Sequence, residues 1–188
     1  MMGSTVIIGK VNEAARNPEV RKILFQRIEE PRNDLEAFEI LYGLYSGDTF
    51  EKALYPQERK AMQKVLAEQA RIAFLCPSMF PTDSESEKIR KVAECIFDFI
   101  DSPDIEYLDS FLTLLERKEI AYKARFAMAR CLQKFLPGHA DIFEFDSLKK
   151  RIVSAMVGEN GIIFHMLDVL LCAVKEHYAK VQAESEPE

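Results

Sequence analysis

With 188 residues, 48% of them apolar and 30% charged, the chain has the material to bury a core without disulfides or metals, which excludes a disordered chain. Its net charge of −6 argues against a general nucleic-acid partner, because phosphates are neutralised by a basic footprint. The length sets a single domain over residues 1–181 as the expectation, followed by a disordered acidic tail at 182–188.

The opening MMGSTVIIGKVNEAARN has no basic flank before Val6-Ile7-Ile8, so no signal peptide is expected. Ile7 stands where myristoylation prefers Ser or Thr. A short helix is read over 4–16. Asn17-Pro18 then combines a cap with a first-turn proline and opens a helix over about 18–30, which Pro31 ends. Asn33 or Asp34 caps a helix over 34–46 that stops at Gly47. A short turn passes Phe50 and Leu54, and Pro56 opens a long helix to about Cys76, with Met62, Val65, Leu66, Gln69, Ile72 and Ala73 on one face.

The two-proline segment Cys76–Asp83 is the clearest break. Ser84 with Glu87 fits a capping box for a helix to about Ile100 that buries Ile89, Val92, Ala93, Ile96 and Ile100. Ser102-Pro103-Asp104 starts the next, which carries Ile105, Leu108, Phe111, Leu112 and Leu115. A helix over 118–136 buries Ala121, Ala124, Met128, Cys131, Leu132 and Phe135 and ends at Pro137-Gly138. Asp146 or Ser147 opens the penultimate helix, with Leu148, Ile152, Val153 and Met156 inward, and Gly158 and Gly161 bracket the final turn.

The last helix, 161–181, is the most apolar stretch. Ile162, Ile163, Phe164, Met166, Leu167, Val169, Leu170, Leu171, Ala173 and Val174 cover more than half its circumference, wider than the face of an ordinary surface helix. It is expected to be the buried post of an all-α bundle of eight or nine helices. His165 and Asp168 interrupt it, so it is not read as a membrane span.

Four constellations have residue types that carry chemistry. His165, Asp168 and Cys172 share one helix face at spacings of three and four, as metal ligands or a Cys–His nucleophile would, or as the polar seam of a core helix. His139, Asp141, Glu144 and Asp146 crowd one loop, for cation binding, acid–base work, or simply helix capping. Lys123, Arg130 and Lys134 form a basic stripe, with Lys118 and Arg125 nearby and Lys149, Lys150 and Arg151 in a second cluster; the stripe would steer an acidic partner or serve as a solvated face. Tyr42, Tyr45, Phe50, Tyr55 and Phe80 gather at connections, where they would anchor a partner or seal the bundle ends. Cys76, Cys95, Cys131 and Cys172 are far apart and form no C-x-x-C, as reduced thiols of a cytoplasmic protein would be. The sequence contains no phosphate-cradling glycine loop, G-x-S-x-G or H-E-x-x-H.

Leu24-Phe25 with Asp34-Leu35-Glu36-Ala37-Phe38, then Ala93, Ile96, Phe97 and Leu108-Asp109-Ser110, then Phe145-Asp146, Ile152, Met156, Glu159 and Phe164 together resemble, in order and spacing, the helical domain of regulators of G-protein signalling. That resemblance implies a GTPase regulator. It leaves residues 48–84 and 111–143 as insertions, and the family's Tyr-x-Arg-Phe is replaced by Ile162-Ile163-Phe164. The residues themselves favour a cytoplasmic helical protein–protein interaction or adaptor module without catalysis or a cofactor. A bundle that binds an apolar ligand or a metal is the alternative.

Overall fold

The computed structural model describes residues 17–29, 42, 60, 63–67, 69, 82–159 and 161–185. All their regular structure is helical, and no strand occurs among them. The chain divides into two compact units, Met1–Gln69 and Ala70–Glu188.

In the first unit, α1 spans Pro18–Glu29. Asn17 Oδ1 accepts from the Glu19 N–H at 3.0 Å, so the cap-plus-proline device works as its sequence implies. Residues 63–67 are helical, with Leu66 buried. The helices expected over 4–16 and 34–46 lie outside the described residues, apart from the helical Tyr42.

The second unit holds α2 (Asp83–Phe99), α3 (Ile105–Leu115), α4 (Tyr122–Phe135), a 3₁₀ turn over Leu136–Ile142, α5 (Phe145–Met156) and α6 (Gly161–Ser185). Six α-helices with described bounds, one 3₁₀ turn and a further helical run at 63–67 are thus seen among the described residues, where eight or nine helices were expected.

The caps differ from the sequence reading in instructive ways. The box at α2 is Thr82 with Glu85: Thr82 Oγ1 accepts from Glu85 N at 3.2 Å, and Glu85 Oε2 accepts from Thr82 N at 2.7 Å. Ser84–Glu87 has the same spacing two residues on. Glu87 is taken instead by Arg90, whose Nη2 lies 2.6 Å from its carboxylate. Asp104 caps α3 and Glu144 caps α5, the latter accepting from both Asp146 and Ser147 N–H groups. α4 starts four residues later than expected because Arg117–Ile120 form a tight turn, with Ile120 N donating to Arg117 O at 3.2 Å. Pro137 sits at the start of the 3₁₀ turn, where its missing N–H costs nothing, so the chain keeps coiling past it. α6 runs to Ser185, because Gln182, Ala183 and Glu184 carry no stop signal; residues 182–185 are helix where a frayed tail was expected.

The centre of this unit is α4. It packs on α2, α3, α6 and the 3₁₀ turn. Ala124, Ala127, Met128, Ala129, Cys131, Leu132 and Phe135 are buried. At 100° per residue they span roughly 200° of its circumference. Its alanines let several neighbours approach closely. The last helix contacts α4, α5 and the 3₁₀ turn, yet it is enclosed on its inner stripe only. Ile163, Met166, Leu167, Leu170, Leu171 and Val174 are buried. They cover roughly 140°, so its outer face meets solvent.

Candidate functional site on the last two helices

The turn joining α5 to α6 is held by a buried carboxylate. Gly158 and Gly161 have φ of +76° and +57°, the left-handed region that favours glycine. Between them the Glu159 side chain is folded inward and is 2% exposed. Lys118 Nζ donates to Glu159 Oε1 at 3.0 Å and to the carbonyls of Leu115 and Ala155 at 2.9 and 2.8 Å. Arg125 Nε lies 2.8 Å from the same carboxylate oxygen, and Arg125 Nη1 donates to the carbonyls of Lys118 and Ile120. Two cations on one acid tie the ends of α3, α4, α5 and α6 together.

Two further clamps fix α5. Arg151 pairs with Asp109, and its Nη2 donates to Asp109 O at 2.8 Å and Thr113 Oγ1 at 2.9 Å, joining α5 to α3. At the opposite end the Phe145 ring lies 4.8 Å from that of Tyr178, which sets the register of α5 against α6. The Tyr178 hydroxyl, with one proton to give, sits against the carbonyls of Ala140 and Phe143. Burial, with Asp141 and Glu144 nearby, raises its pKa above the ordinary tyrosine value.

On this clamped pair the apolar residues do not all turn inward. Val153 is 44% exposed, Val157 67%, Ile162 60%, Phe164 43% and Val169 39%. With Val181 they make six of the nine large hydrophobic residues exposed among those described. The sequence reading placed Val153 inside. Lys149, one turn earlier on the same stripe and exposed, is the signal that would have placed it outside.

The residues singled out from the sequence are not brought together into one site. Arg130 and Lys134 are committed within the fold: the Arg130 guanidinium lies 4.1 Å from the Phe97 ring centroid, and Lys134 Nζ lies over both Phe97 and Phe135 while donating to Phe97 O, a carbonyl near the end of α2. Lys123 remains exposed. Tyr42 is half-buried, and Tyr45, Phe50, Tyr55 and Phe80 lie outside the described residues. His165, Asp168 and Cys172 share the exposed outer face of α6, and among the described residues no group of three or more His, Cys, Asp or Glu is placed to hold a metal ion. His139 Nε2 is 3.4 Å from Ser102 Oγ. Cys95 and Cys131 are buried thiols between α2 and α4; burial pushes the Cys131 pKa up to about 12, and its Sγ donates to Ala93 O. Of the residues behind the resemblance to G-protein regulators, Asp109 and Glu159 hold structural ion pairs, Ile152 is core and Phe164 is exposed.

No protein-family model matches the chain, and no curated protein or solved structure matches it. No described helix is long and apolar enough to cross a membrane.

Proposed function

We propose that the chain is a cytoplasmic helical protein–protein interaction module and that the outer face of the α5–α6 pair is its docking surface. The observation behind this reading is the exposure of Val153, Val157 and Phe164 along the side that α5 and α6 share, with Ile162 and Val169 exposed on the far flank of α6, on a hairpin held by three clamps. Exposed apolar side chains scattered singly are ordinary, but a group of them on one hairpin marks a contact surface. A fixed backbone also spares a partner the entropy of ordering it.

Affinity capture from the source cell tests the reading, using the wild-type chain and a Val157→Glu/Phe164→Glu variant. Both residues are exposed, so the variant is expected to keep its fold and its circular dichroism. A stoichiometric partner held by the wild type and lost from the variant supports the assignment; a set of proteins identical for both removes it.

A further inference from the structure

The ring contact between Phe145 and Tyr178 gives the register of two antiparallel helices, and from it the levels of other residues follow. Lys149 lies four residues along α5 from Phe145, and Lys175 lies three residues back along α6 from Tyr178. At 1.5 Å per residue these are rises of roughly 6 and 4.5 Å, so the two lysines stand at about one level. Val153 and Leu171 follow at roughly 12 and 10.5 Å, and Phe164 at roughly 21 Å.

Helix geometry also puts these residues on one side. On α6 the core stripe is centred near Leu170 and Val174, and Tyr178, which meets α5, lies toward one edge of it. Leu171, Phe164 and Lys175 continue outward from that edge in successive steps of roughly 20°. On α5, Arg151 faces α3, whereas Phe145 faces α6. Beyond Phe145, on the side away from α3, come Lys149 and then Val153. The seam between the two helices is therefore bordered by the exposed Val153 and Phe164 over the buried Leu171, with the two lysines toward its Tyr178 end. Both are exposed, and neither has a carboxylate within ion-pairing distance among the described residues. In a chain of net charge −6 whose Arg90, Lys118, Arg125 and Arg151 are all paired with carboxylates, two exposed lysines without an ion pair at one level of the seam are complementary to a carboxylate from outside.

We propose that this seam seats an acidic amphipathic helix of a partner protein, with its apolar stripe on the exposed Val153 and Phe164 and its carboxylates on Lys149 and Lys175. The proposal rests on the interaction reading and names the partner's chemistry. The apolar stations are spaced roughly 10 Å apart along the seam, about two turns of a helix laid on it, and the lysines lie roughly one turn below the first. A partner segment with Glu one turn before the first of two apolar residues at i and i+7 fits this spacing.

The test uses the full chain and two designed helical peptides with the same leucine stripe, one flanked by Glu and the other by Lys. Fluorescence anisotropy measures affinity, and backbone amide shifts locate the site. The Glu peptide is expected to bind about tenfold or more tighter than the Lys peptide and to shift amides of α5 and α6. A Lys149→Glu/Lys175→Glu variant is expected to reverse that preference, which a misfolded variant would not do, and Phe164→Ser to weaken both peptides. Equal affinity for the two peptides, or shifts confined to other helices, overturns the proposal. Self-association of the chain abolished by Phe164→Ser overturns it in favour of a second copy on the seam. Displacement of the Glu peptide by phosphatidylcholine vesicles containing phosphatidylserine overturns it in favour of a membrane surface. Should capture yield a partner lost on Val157→Glu/Phe164→Glu while the peptides show no charge preference, the acidic-helix assignment fails and the interaction reading stands.

Discussion

Tyr178 shows how one polar atom joins three segments. Its ring packs on Phe145, and its hydroxyl sits against two carbonyls of the 3₁₀ turn and the loop after it. In Tyr178→Phe those carbonyls lose their shared donor, so urea unfolding is expected to show a loss of about 1 kcal/mol. The pH dependence has a definite sign. The folded pKa is raised above the unfolded value of 10.0, so the fold holds the proton more tightly. The wild type therefore keeps its full stability below that value and loses some as pH rises beyond it, whereas Tyr178→Phe should lack this alkaline loss. Glu87 behaves oppositely. Arg90 holds its carboxyl below the ordinary 4.5, so its contribution is present above that pH and fades as acid titrates the folded carboxylate. Glu87 is about half exposed, so Glu87→Gln should change stability near neutrality by only a few tenths of a kcal/mol, and the two proteins should converge in acid.

Among the elements, the α5–α6 hairpin depends most on a single turn. Glu159→Gln leaves Lys118 and Arg125 facing each other without the charge that joins them. A cost of about 2–3 kcal/mol is expected, below the loss for a fully buried pair because Lys118 is partly exposed. Gly158→Ala tests the backbone alone: the added Cβ would meet only Lys118 Cε at 3.7 Å, so the penalty should come from φ and amount to about 1–2 kcal/mol. Losses below about 0.5 kcal/mol in both variants would show that the turn is not what holds the hairpin. The sequence made this element legible, because two glycines spaced three apart between apolar helices are a local signal. The same locality exposed the helix-opening cap at Asn17, the helical class and most inward faces. What it concealed was the choice between equivalent local signals. Thr82–Glu85 and Ser84–Glu87 are both capping boxes by spacing, and only Arg90 draws Glu87 away. The exposure of Val153 and Phe164 was hidden for a related reason. Apolar content shows that a residue prefers burial, but the position of neighbouring helices decides whether Val153 or Phe164 obtains it.

For the whole molecule, the sequence pointed to the last helix as the central post because it is the most apolar. The structure gives that position to α4, whose mean apolar character is lower but whose buried arc is wider. Greasiness and enclosure separate here because an alanine-rich helix can be approached from several sides, whereas long aliphatic side chains hold neighbours apart and leave some of their own surface uncovered. Two substitutions distinguish a centre at α4 from a centre at α6. Ala129→Leu adds apolar volume at a position 1% exposed in α4, where no space is available, so it should destabilise by about 1–3 kcal/mol despite its greater hydrophobicity. Val169→Ala removes apolar volume from the exposed face of α6 and should change stability by less than about 0.5 kcal/mol. Urea denaturation midpoints, compared at unchanged slope, measure both. The reverse order, with Ala129→Leu tolerated and Val169→Ala costly, would return the core to the last helix and bury the surface on which the docking proposal depends.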